Sequence, residues 1–497
     1  MTPPPVAATK TPPAKSRKTK ASGGALPRWN LGDLYSGPGS QQLARDLTRA
    51  ERRAARFEKA NKGRLQRMSG KRLGEAVREF EAIDEILGKV MSYAQLLHAC
   101  NVSDPKVGQF YQTTAERVNA IATRLLFFTL ELNRLPEKAI KQKLKAPELK
   151  RYAPWVRDAR AWRRHELSDD MERLLHEKAP SGRSAWKRLF DETLAGMRFP
   201  IGGKELTEAE ALNLLSSKSA ATRKRAALAI GKTLGAHGQT FALITNTLAK
   251  DKDVEDRWRG FAGPSSARNL SNYVEDEVVD ALVKSVKRAY PRLSHRYYRL
   301  KAKWMGKKRL DYWDRNAPLP KAPDRTLTWG QARDLVLESY DAFSPEMARI
   351  AKRFFDGRWI DAAPVAGKDS GAFSHPTVPS AHPYILMNYQ GKSRDVMTLA
   401  HELGHGIHQV LAAPRGNLMA DTPLTLAETA SVFGEMMTFR RLLASENRPN
   451  ARRALIASKV EDMLNTVVRQ IAFYDFEMRV HTARKNGELS AKEICDI

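Results

Sequence analysis

Cysteine is nearly absent from this 497-residue chain: only Cys100 and Cys495 occur, far apart and without CxxC spacing. That argues against a disulfide framework or a cysteine metal site and points to a reducing, cytoplasmic compartment. No run of about 18 apolar residues occurs, so nothing is expected to span a bilayer. The first 25 residues, MTPPPVAATKTPPAKSRKTKASGGA, lack the apolar stretch of a secretory signal and read as a disordered basic tail. Acids are outnumbered, 56 Asp+Glu against 84 Lys+Arg, for a formal net charge of +28. Such a field attracts polyanions. The excess is nevertheless spread through Arg49–Arg72, Lys138–Arg164 and Lys301–Arg309. Without a stacking motif or recognised nucleic-acid fold beside it, the charge is better explained by solvated helix faces, and no specific nucleic-acid partner is expected.

What the chain does contain is apolar residues at helical spacing. Hydrophobic residues make up 42% and charged ones 28%, which places it among globular proteins long enough for two or three folding units. Leu73, Ala76, Val77, Phe80, Ile83, Ile86 and Leu87 recur in threes and fours, and similar patterns return in Leu125–Leu135, Ala209–Ile230, Val278–Leu300, Trp329–Phe343 and Leu424–Leu443. A mainly α protein is expected. The clearest exception is Pro383–Tyr389, a short run of strand formers closed by Gln390-Gly391. Glycine and proline clusters near 198–203 and 317–323 read as loops. The domain reading is a helical N-terminal domain over 26–200 and a second domain over 201–497. No internal repeat is found.

The second domain carries the chemistry. Asp395-Val-Met-Thr-Leu-Ala-His401-Glu402-Leu403-Gly404-His405-Gly-Ile-His408 has apolar residues at Val396, Leu399, Leu403, Ile407 and Val410. The spacing predicts a helix with Ser393 or Asp395 as its cap, and it puts His401 and His405 on one face. Two imidazoles one turn apart can both reach one zinc ion, with Glu402 offset toward a bound water. The alternative is two half-buried histidines on an amphipathic helix. The extended HExxHxxGxxH pattern is ruled out because its Gly position is His408 and its last position Leu411.

A third ligand is then sought among downstream carboxylates, and LTLAETASVFGE (424–435) supplies Glu428 and Glu435 on a second helix, with Thr422 as cap and Pro423 as first residue. Glu428 sits in an apolar and small-residue stretch, where burial would demand a cation such as zinc. Glu435, seven residues on, is either a hydrogen-bond partner for a ligand imidazole or an exposed surface acid. His408 either lines the cleft or is a packed histidine.

The residues ILMNYQG, DVMTLAHELGHGIHQ and LAETASVFGE, together with RWNLGDLY, SGAF (370–373) and RQIAFYDFEMRVHTARKNGELSAKEI, resemble the oligoendopeptidase F family of thimet-oligopeptidase-like zinc metallopeptidases. The resemblance covers nearly all of the chain after the tail. It implies a mainly α zincin fold with a small β-sheet beside the HExxH helix and a deep channel for short peptides. It also implies one zinc ion held by His401, His405 and Glu428, and Glu402 as general base. It further implies that the strand Tyr384, Ile385, Leu386, Met387, Asn388 pairs with substrate backbone. Relatives continue past the position of Ile497 with an HF…FYVY-type segment, so weak hydrolysis, or zinc and peptide binding without turnover, is the alternative expectation. Tyr474 and His481 have their own counterpart in the family and are expected to be packing residues. The resemblance leaves the oligomeric state open.

Overall fold

The computed structural model describes residues 25–320 and 326–497. The basic tail expected over 1–25 lies, but for its last residue, outside them, as does part of the loop expected at 317–323. The described chain is mainly α-helical, with one two-stranded and one three-stranded sheet among the described residues. The longest helix, Gly70–Cys100, starts where the Ser69 hydroxyl accepts from the Arg72 N–H at 3.2 Å, and it buries Leu73, Val77, Ile83, Leu87 and Val90.

Two expected helices are broken by their own sequence. Residues 208–236 form Glu208–Leu214 and Ala220–Ala236, parted at Ser216-Ser217-Lys218-Ser219, where Ser219 caps the second helix. In 276–304, Pro291 lacks the N–H that would continue the ladder, and a wider π turn at Pro291–His295 separates Asp276–Ala289 from Arg296–Trp304. The cluster at 198–203, expected as a loop, is a hairpin of β1 (Phe199–Ile201) and β2 (Lys204–Leu206). Gly202 and Gly203 take φ of +64° and +75°, which a tight hairpin turn demands.

The apolar core explains where the site sits. One large cluster joins the early helices, from Trp29 to Val156, to residues 327–442, so the first helices and the motif helix share packing. A small separate cluster of Met197, Phe199, Ile201, Ala211 and Ala226 surrounds the hairpin near the expected domain boundary. The three-stranded sheet has the order β3 (Ile360–Asp361), β5 (Tyr384–Leu386), β4 (Phe373–His375), parallel on one side and antiparallel on the other. The aromatic segment after the tail straps this sheet: Asn30 N–H donates to Arg358 O at 2.8 Å, and the Tyr384 hydroxyl donates to Asn30 O at 2.8 Å.

A buried charge cluster locks the sheet to its loops. The Lys368 ammonium, fully buried, donates to Asp361 Oδ1 at 2.6 Å and to the carbonyls of Ala363 and Met387 at 2.9 and 2.7 Å, while Arg28 binds the other Asp361 oxygen at 2.6 Å. Removing one partner of such a network strands the rest away from water. Lys368→Met is therefore expected to destabilise the protein by about 3 kcal/mol or more. Urea unfolding followed by tryptophan fluorescence checks this, and an unchanged midpoint would contradict it.

The motif helix spans Ser393–Ala412. Of the two caps expected, Asp395 acts: its carboxylate accepts the N–H groups of Gln390 and Lys392 at 2.8 and 3.0 Å, whereas Ser393 is the first helical residue. Val396, Leu399, Ala400, Leu403 and Ile407 are buried on one face. The second helix, Leu424–Ala444, begins one residue later than expected, with Pro423 rather than Thr422 at the cap position. The loop joining the two helices is pinned to helix Gly70–Cys100, where Asp84 accepts from Asn417 Nδ2 at 2.8 Å and Glu81 from Leu418 N–H at 3.2 Å.

Candidate metal centre

Two glycines set the distance between the helices that carry the site. A Cβ on Gly404 would stand 2.6 Å from Ala430 O and 2.8 Å from Ser431 Cα; one on Gly434 would stand 2.6 Å from the Tyr340 hydroxyl and 3.1 Å from Ala400 O. Only hydrogen fits at these crossings, so the backbones approach closely enough for Glu428 to reach the histidine face. Tyr340, wholly buried in helix Trp329–Asp341, donates to Ala400 O at 2.6 Å and fixes the motif helix from behind.

The chain then brings together His401, His405 and Glu428, whose ligand atoms all lie within 4.8 Å of one another. Glu428 Oε2 is 3.2 Å from His401 Nε2 and 3.5 Å from His405 Nε2, and the two rings are 5.0 Å apart at 82°. Ser431, one turn along, donates its hydroxyl to the same carboxylate oxygen at 2.7 Å. His401, then His405 and Ser431, hold the Glu428 carboxyl well below the usual carboxylate range. Burial opposes charge on His401, but hydrogen bonds to Glu428 and Glu435 outweigh it and raise its pKa to about 9. Such a convergence of two imidazoles on a carboxylate is where a divalent cation can replace protons as the bridging positive charge. Two nitrogens and one oxygen suit zinc, leaving a fourth position for water.

The burial expected of Glu428 is not what the structure shows. Its side chain is 58% exposed, so geometric convergence rather than a burial cost marks it out. Glu435 is not a surface acid: its carboxylate, 14% exposed, is 3.4 Å from His401 Nδ1 and is ion-paired with Lys459. Burial works against ionisation of Glu435, and His401 and Lys459 overcome it, so its pKa is lowered. Glu402 is 6% exposed and lines, with His401, a cavity of about 1150 Å³. Burial raises its pKa, opposed by the two histidines. His408 is half-buried and is not among the residues lining that cavity.

The strand assignment needs correction. Tyr384–Leu386 is the central strand, buried and paired on both sides, so its backbone has no edge for a peptide. Ile385 and Met387 donate toward β3, to Trp359 O and Asp361 O, both at 2.9 Å. Tyr384 and Leu386 therefore face β4, and by the alternation of an antiparallel ladder Ser374 turns its backbone to the outer edge. There Ser374 O accepts from Gln409 Nε2 at 3.1 Å, one turn beyond His405. Asn388 holds the loop before β4 by donating to Asp369 O at 2.9 Å and Gly371 O at 3.2 Å. Tyr474 bonds Ser265 at 3.2 Å, and His481 is half-buried; neither lines the site cavity.

Lys459, Ser431, Tyr340 and Gln409 escaped sequence reasoning. Ser431 lay inside the motif at i+3 from Glu428, a spacing that places it on the same helix face. Nothing in the sequence couples Lys459 to Glu435, because they meet only when helix Pro449–Leu464 packs on the second helix.

A mainly α protein in which a helix-borne His-Glu-x-x-His faces a carboxylate on a crossing helix has the layout of an HExxH-class hydrolase. The family model for peptidase family M3 matches residues 213–497, and that for oligopeptidase F matches 131–199. The chain belongs to peptidase family M3, within its oligoendopeptidase F group. It is 28% identical over 483 residues to oligopeptidase PepF of Bacillus subtilis, covering 94% of this chain and 70% of that protein. It is 26% identical to an oligoendopeptidase F homolog of Borreliella burgdorferi, with coverage of 94% and 78%. Its fold is similar to the crystal structure of oligoendopeptidase-F from Enterococcus faecium, at a TM-score of 0.67, 20% identity and coverage of 92% of this chain and 78% of that one. PZ peptidase A, solved with an inhibitor, aligns at a TM-score of 0.72 and 17% identity, covering 94% and 80%.

Proposed function

We propose that this protein is a zinc-dependent metalloendopeptidase that hydrolyses short oligopeptides. The observation that carries the reading is the convergence of His401 Nε2, His405 Nε2 and Glu428 Oε2 beside a cavity lined by Glu402. Those three residues would hold the ion, which when bound supplies Lewis-acid polarisation of the scissile carbonyl and an acidified water. Glu402 accepts a proton as general base and returns it to the leaving amine. Glu435 accepts a hydrogen bond from the Nδ1–H of His401, the tautomer that would leave the Nε2 lone pair for the ion, with Lys459 anchoring the carboxylate. An extended peptide would pair along the outer edge of β4 at Ser374, displacing the Gln409 amide from that carbonyl, in place of a pairing with Tyr384–Asn388.

No helix of the described residues is long and apolar enough to cross a membrane. Two free cysteines support a cytoplasmic setting.

Purified protein is expected to contain about one zinc per chain and to cleave a quenched short peptide, with cleavage lost to a chelator and restored by zinc. Glu428→Ala should lose the metal. Metal analysis without near-stoichiometric zinc in the wild type would sink the reading. Zinc present without cleavage would favour a peptide-binding protein instead.

A further inference from the structure

The charge excess is spread along the sequence, but the fold gathers part of it on the first long helix, Gln41–Asn61. Arg45, Arg49, Arg52 and Arg56 stand there at i, i+4, i+7 and i+11, and all four are exposed. At 3.6 residues per turn they fall within about 60° of one another and form one ridge. A groove of about 540 Å³ follows the ridge, lined by Ala44, Arg45, Thr48, Arg49, Arg52 and Arg56, with no acid among them. The acids nearby are committed on the flanks. Asp46 accepts from the Tyr35 hydroxyl at 3.0 Å and pairs with Arg49 at 2.8 Å, and Glu51 pairs with Arg117 at 3.7 Å. Glu79 holds Arg53 through both oxygens at 2.8 and 2.7 Å. Arg45 meets the neutral Gln41 side chain at 3.4 Å, while Arg52 and Arg56 form no hydrogen bond or ion pair with a described residue. Like charges one turn apart destabilise a helix, and a bound anion removes that repulsion.

The surroundings of the ridge narrow the partner. Guanidinium forks pair bidentately with phosphate oxygens. A helix that lies in a membrane surface needs a free apolar face beside its cations. Here Leu43, Leu47, Ala50, Ala54 and Phe57 are buried in the core, and the groove offers a bilayer only Ala44 and Thr48. No aromatic ring lines the groove, so the unpaired bases of a single strand would find nothing to stack on. A duplex keeps its bases inside and presents phosphates about 3.4 Å apart along each strand. The ridge from Arg45 to Arg56 is about 16 Å long, which matches about five of them. We propose that Arg45, Arg49, Arg52 and Arg56 dock the phosphate backbone of a nucleic-acid duplex without regard to its sequence. The ridge shares no residue with the cavity beside Glu402, and the inference does not depend on the peptidase reading.

The test follows a labelled DNA duplex of mixed sequence, and a second of unrelated sequence, by anisotropy with the full chain over about 50–200 mM salt. The wild type is compared with a variant carrying Arg45→Gln, Arg49→Gln, Arg52→Gln and Arg56→Gln. A charge-matched control carries Lys232→Gln, Lys284→Gln, Lys303→Gln and Arg453→Gln, all exposed cations on other helices. The basic residues before Leu26 are present in all three proteins. Both duplexes are expected to bind alike. Losing the ridge should weaken both about 100-fold or more near 0.1 M salt and make the slope of log K against log salt shallower by about 3, because each phosphate contact supplies about 0.9. The control should stay within about threefold of the wild type. Replacing all four by Lys should keep the slope and lose part of the affinity, since lysine retains the charge without the fork. Thermal melts establish that each variant is folded. Should the quadruple Gln variant melt early, Arg52→Gln with Arg56→Gln alone is expected to give about half the change in slope. An equal fall in the ridge variant and the control, a ridge-dependent preference for one duplex, or no duplex binding by the wild type near about 0.1 M salt overturns the proposal. Ridge-dependent binding of phosphatidylserine vesicles without binding of the duplex would overturn it too, and make the partner a membrane.

Discussion

Glu402→Gln is expected to lower peptide hydrolysis by about 10²- to 10⁴-fold, the range a positioned general base supplies, while the zinc content stays at that of the wild type. The residue is not one of the three converging ligands, and it lines the cavity beside them. Glutamine keeps the shape and loses the ability to accept the proton. Burial already disfavours the Glu402 carboxylate, so the neutral amide should fold at least as stably near neutral pH. Turnover and metal analysis on the same preparation separate the cases. A variant that keeps its metal and its rate would show that Glu402 is not the base, and one that loses its metal would make it part of the binding set.

Gly404→Val is expected to cost about 1–3 kcal/mol or more and to abolish stoichiometric zinc. The new Cβ would meet backbone atoms of Ala430 and Ser431 at 2.6 and 2.8 Å, with no flexible side-chain end to move aside. Relief requires the helices to part just where Glu428, two residues before Ala430, reaches the histidines. Gly434→Ala presses on the same crossing from the other helix, through Ala400 O and the Tyr340 hydroxyl, and should act in the same direction. Gly231→Ala is the control. It lies in helix Ala220–Ala236 with nothing within 4 Å of the added carbon, and should be neutral or stabilising by about 0.5–1 kcal/mol. Thermal melts with zinc analysis across the three variants decide the matter: unchanged metal content in Gly404→Val would mean that the crossing distance does not set the site.

The parts of the site that were legible are those written in one helix. His401, Glu402 and His405 follow from a 3.6-residue period, as do Glu428 and its seven-residue successor Glu435. Their consequences across helices were less legible. Glu428 was singled out on the premise of burial, yet it is largely exposed and marked by convergence. The strand run at Tyr384–Leu386 was recognised, but its place in the sheet was not, because whether a strand is central or at an edge depends on β3 and β4, drawn from residues 360–375. Pro291 broke a predicted helix for a local reason open to sequence reading.

Periodicity, turn chemistry and the HExxH spacing by themselves determined a mainly α protein with two histidines and a carboxylate on one helix, because these are interactions between residues a few positions apart. Only the tertiary structure decided that Gly404 and Gly434 let a second helix close on the first, and that Lys459 anchors Glu435. It likewise decided that the outer strand edge belongs to β4, where Gln409 holds the Ser374 carbonyl. The physical reason is the same in each case. Side-chain contacts between distant segments are set by how buried faces pack, and packing distance leaves no periodic trace in the order of the residues.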